Sequence, residues 1–122
     1  DPAGVTKVLL TSGKLYYELD AYRQEHGITD TAIVRLEQLY PIPRRKLDFV
    51  LSAYGPDASF RWVQEEPRNQ GAWTFLAEYL PEAVPRLAGI ARVSRRAMAA
   101  ASAGSAKVDA VEQQAVIAEA FA

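Results

Sequence analysis

The sequence predicts an α/β fold with a mixed, mostly parallel sheet covered by helices on both faces. Three observations carry this. Short apolar runs alternate with stretches whose apolar residues recur every three or four positions. Glycine or proline closes several of the helical stretches. The chain has 122 residues, 49% of them hydrophobic, which suits one domain built on one core.

Residues 1–4 read as the end of a linker, so the chain is expected to be a piece of a longer polypeptide. The apolar run 5–11, closed by Ser12 and Gly13, predicts a buried strand and a tight turn. Leu15, Leu19 and Tyr22 then share one face of a helix that Gly27 stops as a left-handed C′ residue. The only histidine, His26, sits in its last turn. It reads either as a cap, where the helix dipole favours a cation, or as a catalytic group, although no second ligand or nucleophile is near in sequence. A second strand is expected over 31–36, with β-branched Thr31, Ile33 and Val34. A stiff connection over 37–43 leads to a second helix, with Pro43 as its first residue and Leu47, Val50, Leu51 and Tyr54 on one side. The third strand is 60–64. The third helix opens at Ala72, buries Trp73, Leu76 and Leu80, and stops about Pro81. A weaker fourth strand is expected over 89–93. The alanine-rich stretch 97–106 reads as an extended arm or a linker. A last helix from about Lys107 carries Val108, Val111, Ala115, Ala118 and Phe121 on one face.

Composition removes several functions. A net charge of −1 with acids and bases interspersed argues against a general nucleic-acid binder. No apolar run approaches the roughly 18 residues of a membrane span. The absence of cysteine excludes disulfides, zinc–thiolate sites and a thiol nucleophile, and fits a cytoplasmic protein. Neither a dinucleotide fingerprint nor a nucleophile elbow is present, and residues 104–107 lack the spacing of a phosphate loop. Glu65 with Glu66 is too small a set to hold magnesium or calcium, so no metal site is expected. Adjacent strand residues point to opposite faces, which disfavours a paired-carboxylate hydrolase. The domain is not expected to be a self-sufficient catalyst.

Two clusters remain. Around residues 63–73 an apolar strand ends in Glu65, Glu66 and Pro67, followed by Arg68, Asn69, Gln70 and Gly71 before a helix. That is the carboxyl edge, where such sheets meet ligands and partners, though a solvated acidic turn fits equally. Arg44, Arg45 and Lys46 occupy the first turn of the second helix, where the dipole favours negative charge. Either they splay into water or they answer an anion such as a phosphate, with Gln38 close by as a hydrogen-bonding partner. Arg92, Arg95 and Arg96 suit an intrachain or subunit contact as well as a ligand site.

Two strings resemble a known family. Ala32-Ile33-Val34-Arg35-Leu36-Glu37-Gln38-Leu39-Tyr40-Pro41-Ile42-Pro43 and Gln64-Glu65-Glu66-Pro67-Arg68-Asn69-Gln70-Gly71-Ala72-Trp73 are similar to the third-domain signatures of 2-oxoglutarate dehydrogenase E1 components. Thr11-Ser12-Gly13-Lys14 with Tyr16-Tyr17, and the closing stretch from Arg95 to Gln113, fit the same family across the chain. Asp109 stands where many relatives carry histidine, and the Arg44–Lys46 triplet is richer in charge than usual. The resemblance implies a three-layer, transketolase C-terminal-like domain. In such enzymes preceding domains hold thiamine diphosphate and Mg2+ across a homodimer interface. The full enzyme decarboxylates 2-oxoglutarate and passes the succinyl group to the lipoyl carrier of the E2 component. The third domain supports the second E1 protomer, and Glu65, Glu66, Asn69 and Arg95 are expected to serve structure or interface. The resemblance extends to a multifunctional bacterial branch activated by acetyl-CoA, which implies an effector site at Gln38, Arg44, Arg45 and Lys46. The same residues leave open a free-standing interaction module, or the matching domain of a pyruvate or branched-chain dehydrogenase or a transketolase.

Overall fold

A computed structural model of the chain describes residues 2–38, 41–95 and 106–122. The strands are β1 (Lys7–Thr11), β2 (Thr31–Arg35), β3 (Ser59–Pro67) and β4 (Ala91–Arg95); the helices are α1 (Leu15–Glu25), α2 (Arg44–Leu51), α3 (Trp73–Ala83) and α4 (Ala106–Phe121). The four strands form one sheet in the order β2-β1-β3-β4, and every pairing is parallel.

Alternation along the strands divides the core. Val8 and Leu10 of β1 face a layer with Phe60, Trp62, Leu47, Leu51, Leu76 and Leu80, so α2 and α3 cover that side. Leu9 faces the other way, against Leu15, Leu19, Val63, Val93, Val116 and Ile117, so α1 and α4 cover the opposite side. A strand buried on both faces must read as an unbroken apolar run, and Val8-Leu9-Leu10 does. At the end of β1, the buried Thr11 hydroxyl donates to the Val63 carbonyl at 2.9 Å, tying the two central strands where the site begins.

Helix ends show how local chemistry terminates each element. Gly27 has φ +61°, and the amides of Gly27 and Ile28 bond back to Gln24 and Arg23, closing α1 in a Schellman turn. His26 caps this helix: its Nδ1 lies 3.0 Å from the Tyr22 carbonyl and its ring stacks on Tyr22 at 3.9 Å. Arg86 donates to the carbonyls of Leu51, Tyr54 and Gly55, capping α2 from a distance, and lies over the Phe60 ring. The far end of α4 is held likewise: Lys7 Nζ donates to the carbonyls of Phe121 and Ala122, and Arg61 to those of Glu119 and Ala120.

Four expectations are corrected. Strand β3 continues through Glu65 and Glu66 to Pro67, with a register shift that pairs Val63 with Val93 but Pro67 with Arg95. Because β4 runs to Arg95, β3 has a partner beyond the residue at which its apolar run ends. Pro43 is the N-cap of α2 rather than its first residue, with ψ 73° outside the helical range. Helix α3 passes through Pro81 to Ala83; the proline removes one amide donor, but the Val84 amide still bonds the Leu80 carbonyl at 2.9 Å and Leu80 is fully buried. Finally, the inward face of α4 is Val116, Ile117 and Ala120 with Phe121 half-buried beside them, and of the expected stripe Val108, Val111, Ala115 and Ala118 face outward; Val111 is 65% exposed. Residues 39–40 and the predicted arm over 97–105 lie outside the described residues, while Ala106 opens α4.

Candidate functional site at the carboxyl edge

Helix α1 leaves β1 on one face and α3 leaves β3 on the other, so the connections part between the two central strands. That is the switch point at which open α/β sheets hold ligands. An open cleft of about 590 Å3 lies there, lined by Lys14, Glu18, Glu65, Glu66, Arg95, Asp109 and Gln113 among others.

The hub of the cleft is Arg95, whose side chain is only 8% exposed. Its Nη1 lies 2.6 Å from Asp109 Oδ1 and 3.4 Å from Glu112 Oε2, and its Nη2 donates to Gln113 Oε1 at 2.8 Å. Gln113 turns its amide NH2 toward Glu18, at 3.2 Å, and Glu65, at 3.2 Å. Arg95 thus draws the polar first half of α4 against the sheet end. Here the intrachain reading of the arginine cluster holds for Arg95, while Arg96 lies outside the described residues. Asp109 supplies the shortest of these contacts.

One residue near the end of β3 was not singled out from the sequence. Gln64 is buried, and its Oε1 accepts from the Trp62 indole at 2.9 Å and the Trp73 amide at 3.0 Å. Its Nε2 donates to the carbonyls of Glu66, Pro67 and Gln70. One amide therefore satisfies both sides of the turn, and the two tryptophans flanking it were the available signal. Gly71 has φ +67°, and a Cβ there would come within 3.1 Å of the Glu66 side chain, so the turn needs glycine for both conformation and space. Asn69 is exposed at the tip of this turn.

The second cluster divides. Gln38, whose Nε2 donates to the Pro41 carbonyl at 2.9 Å, and Lys46 line one hollow of about 370 Å3, with Arg35, Glu37, Leu47 and Val50. Arg44 lines a neighbouring hollow with Ile42, Phe75 and Tyr79. Arg45 is exposed on α2 and lines neither. Successive helical residues point about 100° apart, which divides the three adjacent cations between different parts of the surface. At the mouth of the first hollow, Glu37 Oε1 accepts from the Gly13 amide at 2.9 Å and from Arg35 Nε at 2.7 Å. The Gly13 amide first, and then Arg35, hold the Glu37 carboxyl below the usual carboxylate range.

Against this geometry, the family model described as 2-oxoglutarate dehydrogenase C-terminal matches residues 1–121. The chain belongs to that family. Among the curated relatives of this 2-oxoglutarate dehydrogenase C-terminal domain is the "Multifunctional 2-oxoglutarate metabolism enzyme" of Mycolicibacterium vanbaalenii, 57% identical over 122 residues, covering 99% of this chain and 10% of the relative. Proteins of the same name from Mycobacterium sp. strains JLS and KMS are 56% and 55% identical, each over 97% of this chain and 9% of the relative. The chain thus spans about a tenth of the length of these relatives. Among the described residues no helix is long and apolar enough to cross a membrane.

Proposed function

We propose that this chain is a single supporting and regulatory lobe, over residues 1–122, of a longer thiamine diphosphate-dependent enzyme that decarboxylates 2-oxoglutarate and transfers the succinyl group to a lipoyl carrier. The observation that carries the reading is the family match over residues 1–121, joined to 57% identity with a relative named for 2-oxoglutarate metabolism. Thiamine diphosphate supplies a carbanion-stabilising centre when bound, with Mg2+ on its diphosphate. On this reading the coenzyme and 2-oxoglutarate belong to other domains; among the described residues of this chain no three His, Cys, Asp or Glu side chains come together as a metal-binding group. The lobe buttresses the homodimer and faces the E2 component indirectly, and a cytoplasmic location follows from that role.

The hollow beside Gln38 and Lys46 is the effector site on this reading, taking acetyl-CoA. Lys46 answers a phosphate at the hollow and Arg45, exposed outside it on α2, answers another, while the apolar wall of Leu47 and Val50 suits the less polar portion. Replacing Arg45 and Lys46 together by alanine in the full-length protein is expected to abolish acetyl-CoA activation while unstimulated 2-oxoglutarate decarboxylation persists. Unchanged activation counts against the effector site. Thiamine-dependent decarboxylation by residues 1–122 alone counts against the division of labour.

A further inference from the structure

We propose that Glu37 is a regulatory latch, coupling the hollow beside Gln38 and Lys46 to the cleft around Arg95; the inference rests on the effector reading of that hollow. One oxygen of Glu37 ties together the connections that follow the adjacent strands β1 and β2, through the Gly13 amide and Arg35 Nε. Arg35 in turn donates to the Tyr17 hydroxyl at 3.0 Å, with its guanidinium 5.2 Å from the centre of that ring. Thus Glu37, reached from the hollow, holds the start of α1 from two directions.

The latch is built to be exchanged. Arg35 and Glu37 are both roughly half exposed, and ion pairs open to solvent in this way are weak and readily exchanged. An anion entering beside Lys46 meets Arg35 on the wall of the same hollow and competes with Glu37 for its guanidinium. Loss of that partner leaves Glu37 on the Gly13 amide alone. On the other side of Gly13, Lys14 is on the rim of the acidic cleft, and Glu18 of α1 meets Gln113, which is bonded to Arg95. Polar contacts, joined by the backbone of α1, therefore connect the effector hollow to the ends of β3 and β4.

The test uses the full-length protein, with acetyl-CoA as the probe, in wild type, Glu37→Ala and Glu37→Gln. Calorimetry gives the affinity, and the decarboxylation rate with and without acetyl-CoA gives the activation ratio. Glu37→Ala is expected to bind acetyl-CoA within about threefold of wild type yet lose at least about fivefold in activation ratio, the lower range of ordinary coupling energies. Glu37→Gln, which keeps an acceptor for the Gly13 amide, is expected to fall between and guards against a folding defect. Equal binding with an unchanged activation ratio in Glu37→Ala overturns the latch alone. Failure of the wild type to bind acetyl-CoA overturns the effector reading, and the latch with it.

Discussion

Gln64 concentrates hydrogen bonds at the carboxyl edge, its Oε1 accepting two and its Nε2 shared among three carbonyls. Replacing it by leucine strands the Trp62 indole, the Trp73 amide and three carbonyls, and is expected to cost at least about 2 kcal/mol, read as a lower urea midpoint. Its weight was not legible beforehand, because those partners converge only after the turn has formed. The acidic pair was legible, but its strand setting was not, since the pairing that extends β3 comes from β4, far along the chain. Glu37 carries a pH dependence. Its folded pKa is depressed by the Gly13 amide and Arg35, so its contribution is fully present above the ordinary glutamate pKa and drains away as the pH falls through the lower folded value. Glu37→Gln is therefore expected to be less stable than wild type at neutral pH, with the gap closing in acid, measured as urea midpoints stepped downward in pH.

Most strands and helices could be read from periodicity, because local spacing and stop residues determine them. Helix α4 could not be oriented that way. Val108 and Val111 suggested an apolar stripe, but the first half of the helix turns polar Asp109, Glu112 and Gln113 inward because Arg95 waits at the end of β4. The apolar contact comes from the second half, through buried Val116, Ile117 and Ala120 with half-buried Phe121 beside them. A helix pinned by charge at one end and by packing at the other should open unevenly. Arg95→Ala is expected to speed amide exchange in the first half of α4 by about tenfold or more, the loss of at least one charged hydrogen bond worth about 1.5 kcal/mol, with the second half little changed. Uniform acceleration along the helix, seen by hydrogen-exchange mass spectrometry, would show that Arg95 does not act locally.

For the molecule as a whole, the parallel doubly covered sheet was legible because alternating strands and helices leave few other arrangements. The order β2-β1-β3-β4 was not, as it depends on pairings between residues some 50 apart, such as Leu10 with Trp62. Double coverage predicts that Leu9→Ala and Leu10→Ala, on opposite faces, each cost about 2–5 kcal/mol. In a sheet with one wet face, one of the two would be mild; thermal melts of the pair distinguish these cases. The last helix also has a bearing on biogenesis. It follows β3 and β4 in chain order, yet it covers them, packing Val116 and Ile117 against Val63 and Val93. A polypeptide still emerging from the ribosome therefore displays a greasy flank until α4 clears the exit tunnel, and that interval is when a chaperone would find something to hold.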